Sequence, residues 1–173
     1  MLGETAQHKN HVGGIDAVVR ARASSGDDLV LRVIGPAGNA EPAVLERLGE
    51  VDPDGRWTSR EIGRSDDEVD EALSSAWLLL QPSVNEGYGL PLIEAAQRGL
   101  PVVHTGAGAM AEVLPESSVG STDASALADA VVALLDPDRS AASVRAASTS
   151  LTRLSWSSFR DELRTVLGAL DRA

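Results

Sequence analysis

Short apolar runs alternate along the chain with stretches in which apolar residues recur every three or four positions, and that alternation predicts strands interleaved with helices. Residues 29–34, 57–62, 77–80 and 101–103 read as strands, with residues 117–121 as a short last one. Between them Val12, Ile15, Val18 and Val19 share one helical face, as do Val44, Leu45 and Leu48, and then Val69, Ala72, Leu73 and Ala76. Leu127, Val131, Leu134 and Leu135 form a further stripe, a helix through residues 144–147 follows, and Trp156, Phe159, Leu163, Val166, Leu167 and Leu170 make the last. Strands separated by helices pair in parallel through crossovers, so the pattern predicts an α/β fold with a doubly wound parallel sheet, one domain over residues 1–173. Residues 1–11 read as a turn-rich start with almost no strand ahead of it.

Residues 77–104 carry the most chemistry. Two strands bracket a short helix there, one βαβ unit, and the turn between them reads Glu86-Gly87-Tyr88-Gly89-Leu90-Pro91. Gly87 and Gly89 permit backbone angles, and a close ligand approach, that a Cβ would forbid. Pro91 suits the first helical position, where its missing N–H has no partner to lose. Leu92, Ile93, Ala95 and Ala96 carry the helix, and Gly99 and Pro101 end it. The N–H groups of residues 89–92 are therefore expected free at the carboxyl edge of a parallel sheet, with the helix dipole behind them, which suits an anion. Glu86 and Glu94 flank that position. Two carboxylates repel a phosphate but accept hydroxyl hydrogens well, so anion-binding amides between hydroxyl-binding acids suggest a nucleotide sugar.

Pro82-Ser83, then Glu86 through Glu94, then Gly99-Leu100-Pro101-Val102-Val103 resembles the E-x7-E signature of the family 4 retaining glycosyltransferases, which have the GT-B fold. The resemblance runs from about Leu2 to the end of the chain. It implies the C-terminal, donor-binding half of such an enzyme, a Rossmann-like domain whose N-terminal acceptor domain lies in cis or on a separate chain. It further implies that Glu86 holds hydroxyls of the transferred sugar at the reacting carbon, the catalytic position, and that Glu94 accepts the ribose hydroxyls. Lys9, with the amides near Gly89 and Leu90, would meet the diphosphate; Gly87, Tyr88 and Pro91 belong to the same donor loop. Ile62, Gly63 and Arg64 are the candidates for receiving the base, although Arg64 taken alone reads as a surface charge. Gly35, at the end of a strand, either lines the donor pocket or forms a plain turn. Where the family often has an Arg shortly before the Lys, this chain has Glu4 and His8, so Lys9 would carry most of the charge balance. The implied activity is hexose transfer from a GDP- or UDP-linked donor to a glycan, lipid or small-molecule acceptor, as in polysaccharide biosynthesis. No cofactor or metal is implied, and the isolated domain is expected to be inactive.

Composition narrows this further. A chain of 173 residues with 26 acidic and 15 basic side chains, formally −11, is a poor match for nucleic acid or an anionic membrane. The absence of cysteine removes disulfide and thiol chemistry and fits a cytoplasmic setting. No apolar stretch approaches the roughly 18 residues of a membrane span. Two further readings stand beside the first: a non-catalytic nucleotide- or protein-binding module of the same fold, and an NAD-binding domain. The latter arises because Gly106-x-Gly108-x-x-Ala111 follows a strand, although Pro115 leaves the next helix too short for a crossover. His8 and His11 lack a third ligand for zinc.

Overall fold

The computed structural model describes residues 1–170. A 3₁₀ turn over Gln7–Lys9 leads into α1 (His11–Ser25), β1 (Leu31–Ile34), α2 (Glu41–Val51), β2 (Thr58–Glu61), α3 (Asp66–Ser75) and β3 (Leu79–Gln81). Then come α4 (Leu90–Gln97), β4 (Val102–His104), the short α5 (Met110–Val113), a 3₁₀ turn (Pro115–Ser117), α6 (Ala124–Ala133), α7 (Pro137–Arg153) and α8 (Trp156–Leu170). The paired strands run parallel, β1 with β2 and β3 with β4. Parallel strands crossed over by helices are covered on both faces, and Leu31, Val33, Leu79, Leu80, Val102 and Val103 are accordingly buried.

The sheet is split. Among the described residues, β1–β2 and β3–β4 are separate two-stranded ladders. Residues 1–3, expected as a turn, begin as a stub of strand beside β1: Leu2 bridges Ile34 in parallel, the Ile34 amide donates to the Met1 carbonyl at 3.0 Å, and Gly3 donates to Ile34 at 2.9 Å. The expected last strand is reduced to one bridge between His104 and Ser118.

Local signals explain most of the helix ends. Ser65 accepts from the Glu68 amide while the Glu68 carboxylate takes the Ser65 N–H, a capping box that starts α3. Asp136 caps α7, which is much longer than the four residues expected of it. Several apolar expectations fail, among them Val30, expected in a strand over residues 29–34 but exposed because β1 begins only at Leu31. Leu45 is half exposed on α2, Ala76 lies past the end of α3, and Trp77 is exposed because β3 begins only at Leu79. On α8 Trp156, Phe159, Leu163 and Leu167 are exposed, the first two in an edge-to-face pair at 5.8 Å. The side chains of Val166 and Leu170, placed on that stripe, lie outside the described ones. No described helix is long and apolar enough to cross a membrane.

Candidate functional site

At the carboxyl ends of β1 and β3 two loops are stitched together. Asn10, in the left-handed conformation at φ 51°, turns the first 3₁₀ segment into α1, and its side-chain amide donates to the Pro82 carbonyl at 3.2 Å. The Val84 amide donates to the His8 carbonyl at 2.8 Å. Between these two bonds Lys9 meets Glu86, Nζ to Oε2 at 2.6 Å, with the two side chains only 14% and 11% exposed.

Glu86 is held from several sides. Gln81 Nε2 and Ser83 Oγ donate to the same Oε2 at 3.3 and 3.2 Å. Burial pushes the Glu86 carboxyl up, but the Lys9 ammonium, the Ser83 hydroxyl and the Gly87 N–H outweigh it and hold the group below the usual carboxylate range. Thr105, after β4, donates to the Ser83 carbonyl at 2.5 Å and so ties the two ends of the βαβ unit together. Gly108 lies hard against the same loop, since a Cβ there would sit 2.0 Å from the Glu86 carbonyl oxygen. Gln81, Ser83, Asn10 and Thr105 were not singled out as site residues from the sequence. The available signal was Gln81 itself, a polar side chain closing the apolar run Leu78-Leu79-Leu80.

The mouth of α4 is more restricted than expected. Gly89 takes the left-handed conformation at φ 75° and caps the helix, while the Leu92 amide donates back to the Gly89 carbonyl at 2.9 Å. Leu92 is therefore not an open donor, and Pro91 has none. The amides of Gly89 and Leu90 remain, with no backbone acceptor among the described residues. Gly87, Tyr88 and Leu90 are exposed around them. Glu94 sits half-buried in the second turn of α4, its carbonyl accepting from Arg98 at 2.6 Å and its carboxylate free of hydrogen bonds among the described residues.

The remaining candidates fall into two groups. Gly35 packs against Gly3, where a Cβ would meet the Gly3 carbonyl oxygen at 2.2 Å, so close backbone approach fixes this glycine. Below it Arg60, 7% exposed, donates to the Gly35 carbonyl at 2.8 Å and pairs with Glu41, which also accepts from the buried Thr5 hydroxyl. This buried pair anchors the loop after β1 and was invisible in the sequence, where residues 57–62 read simply as a strand. Ile62 and Gly63 are exposed past the end of β2, and Arg64 pairs with Glu61 at 3.0 Å and Glu68 at 2.6 Å. His11 is buried with an unpartnered Nδ1; burial, the chain's amino group, Arg60 and Lys9 lower it to about 4. Burial also lowers His104, whose Nε2 lies 2.8 Å from the Leu114 carbonyl. Among the described residues, no three His, Cys, Asp or Glu side chains gather in a metal-binding group. The glycine-rich loop after β4 opens a helix of only four residues and packs onto the Glu86 loop, unlike the crossover helix that a dinucleotide fingerprint begins.

Residues 1–137 match the family model described as glycosyl transferases group 1. The D-inositol 3-phosphate glycosyltransferase of Corynebacterium urealyticum is 32% identical over 146 residues, covering 79% of this chain and 34% of that protein. The chain thus spans about a third of that relative's length. The C-terminal domain of a glycosyl transferase group 1 family protein from Francisella tularensis has the same fold, with a TM-score of 0.73 at 20% identity over 90% of this chain and 84% of that one. The pneumococcal O-GlcNAc transferase, solved in complex with UDP and GlcNAc, gives 0.70 at 20% identity over 95% of this chain and 35% of that one. The α/β architecture is that of a GT-B C-terminal domain, and the chain belongs to the glycosyl transferases group 1 family.

Proposed function

We propose that this chain holds the nucleotide-diphosphate sugar of a retaining hexosyltransferase of family 4, and that an acceptor-binding domain, in cis or on a separate chain, completes the cleft. The observation that carries this reading is the Lys9–Glu86 contact, built from segments 77 residues apart, on the loop that leads into α4, where the amides of Gly89 and Leu90 have no acceptor among the described residues. An ammonium and helix-mouth amides suit a diphosphate, while a carboxylate suits sugar hydroxyls. A diphosphate competes with Glu86 for Lys9. Donor arrival then moves the ammonium to phosphate and releases Glu86 for the hydroxyls of the sugar.

In the reaction the bond from the anomeric carbon to the diphosphate oxygen breaks, a bond to the acceptor oxygen forms on the same face, and the acceptor's hydroxyl proton passes to the departing diphosphate. Lys9 and the two amides stabilise the charge that builds on the leaving nucleoside diphosphate, and Glu94 orients it through the ribose. Gly87, Tyr88 and Pro91 shape the donor loop, while Ile62, Gly63 and Arg64 border the base. Gly35 acts by positioning the loop beside Lys9. The helix dipole and Lys9 supply the positive charge, so donor binding without a metal ion is expected. A cysteine-free chain suits a cytoplasmic setting for this chemistry.

Calorimetric titration with UDP and with GDP, each with and without magnesium, tests the reading. One of the two is expected to bind. Losing a charge-assisted bond costs about 1.5–3 kcal/mol, so Lys9→Ala is expected to weaken binding about tenfold or more and Glu94→Ala by a comparable factor. Equal affinities across wild type and both variants would remove the proposed roles.

A further inference from the structure

β3 ends on a residue that packing alone does not explain. Leu79, Leu80 and Gln81 are all buried, and Gln81, 1% exposed, is a primary amide where the rest of the strand is aliphatic. Taking an amide out of water is costly unless both its polar ends are bonded. Only one end is. Nε2 donates to Ser83 Oγ at 3.0 Å and to Glu86 Oε2 at 3.3 Å, while Oε1 is buried with no partner among the described residues. A Met or Leu of similar volume would fill the same space without that cost, so the amino end, aimed at Glu86, is what distinguishes this side chain.

The direction of the amide follows from charge. Turned over, it would set its carbonyl oxygen against the Glu86 carboxylate, so the amino group faces Oε2. Its second bond fixes the Ser83 hydroxyl: Oγ accepts from Gln81, which leaves the hydroxyl hydrogen for Glu86 Oε2 at 3.2 Å. Lys9 meets that same oxygen at 2.6 Å. Three side-chain donors therefore converge on Oε2, and among the described residues no side-chain donor meets Oε1. The three are not equivalent. Lys9 ends a flexible stem and carries a charge that a phosphate can draw away, whereas Gln81 and Ser83 are neutral, buried, and held by β3 and the loop after it.

We propose that Gln81 is a positioning residue: with Ser83 it clamps Oε2 of Glu86, so that the carboxylate keeps its direction and offers Oε1 to a sugar hydroxyl once a diphosphate has taken Lys9. The role of Oε1 rests on the donor-binding reading; the clamp itself does not. Burial disfavours the charged form of Glu86, and a neutral carboxyl is the weaker acceptor for a hydroxyl. Gln81 thus also keeps Glu86 ionised while Lys9 is engaged elsewhere.

Gln81→Met tests this, with Gln81→Leu in its place if the first does not fold. Carbon-13 NMR follows the titration of the Glu86 carboxyl in wild type, Gln81→Met, Lys9→Met and the double variant, all without ligand. Losing Gln81 is expected to move the Glu86 midpoint upward, and at least as far when Lys9 is already gone. A role confined to packing would not move it. A midpoint that Gln81→Met leaves unchanged in both backgrounds overturns the clamp. Calorimetry then compares UDP with UDP-glucose and GDP with GDP-mannose. For whichever pair binds, Gln81→Met is expected to weaken the nucleotide sugar about tenfold and the bare nucleotide less than about twofold. Equal losses overturn the positioning role. If wild type binds neither nucleotide sugar, the donor-binding reading fails by itself, and the titration still decides the clamp.

Discussion

The carboxyl edge of the sheet and the gap between its ladders are built in opposite ways. At the edge, the loops after β3 and β4 and the turn around Lys9 are cross-linked by polar bonds: His8 with Val84, Asn10 with Pro82, Lys9 with Glu86, Thr105 with Ser83. In the gap, apolar side chains line unfilled space and backbone groups go without ladder partners. The site geometry is thus carried by loop-to-loop hydrogen bonds, and continuity of the sheet is not what holds Lys9 against Glu86. Perturbations of the gap should change stability alone, whereas perturbations of the edge should change ligand binding as well.

The largest expected effect on stability comes from pH. The Met1 amino group and His11 are bases lowered to about 5 and about 4. The unfolded chain binds more protons than the folded one over that range, so stability rises with pH from about 4 to 8 and is lost as pH falls through it. The Met1 shift of about three units sets a ceiling of about 4 kcal/mol on its share. Denaturant unfolding at pH 5 and pH 8 reads this slope, and N-terminal acetylation is expected to flatten it above pH 6.5, leaving the His11 part below. Glu61, held near 2 chiefly by Arg32, adds stability that is present above its unfolded value and lost as pH falls from about 4 to 2.

Next in size is the buried ion pair under the loop after β1. Glu41→Ala leaves the Arg60 guanidinium buried without its carboxylate and is expected to cost about 3 kcal/mol in urea denaturation. Asp70→Ala removes a surface partner of Arg98 and is expected to cost under about 1 kcal/mol. If the two losses were equal, Arg60 would not be an anchor. Smaller again is Thr105→Val, which keeps the shape but leaves the Ser83 carbonyl without its donor. A cost of about 1–2 kcal/mol is expected, together with weaker nucleotide binding, because Ser83 no longer steadies Glu86.

How much of this was legible in the sequence follows the range of the interactions. The α4 start was legible because Gly89 and Pro91 act locally; the α3 start was legible only as a cap at Ser65 or Asp66, and the capping box with Glu68 puts it at Ser65. β2, all polar as Thr-Ser-Arg-Glu, was found through its flanks, yet the anchoring role of Arg60 depends on Glu41 nineteen residues away. Leu45 was assigned inward because its helical phase fits, but tertiary packing buries only Val44 and Leu48 on α2. The start of the chain was read as a turn because a strand of two residues has no periodicity to detect; its pairing with Ile34 is a tertiary fact. Lys9 was placed by resemblance, whereas the bonds from Asn10 and to His8 that aim it come from folding.

The smallest expected effect on stability lies within the edge itself, at two glycines of the Glu86 site. At Gly108, φ is 62° and an added Cβ would lie 2.0 Å from the Glu86 carbonyl oxygen, so Gly108→Ala must displace that loop and is expected to lower both stability and nucleotide affinity. At Gly87 an added Cβ meets nothing within 4 Å and φ is not positive, so Gly87→Ala is expected to leave Tm within about 1 °C of wild type. On the proposed diphosphate position, its methyl group narrows the approach to the amides of Gly89 and Leu90. A loss of about tenfold in UDP or GDP affinity at unchanged Tm is the signature of a glycine kept for its ligand. Unchanged affinity would instead leave Gly87 as an ordinary loop residue and move the phosphate position toward Gly89.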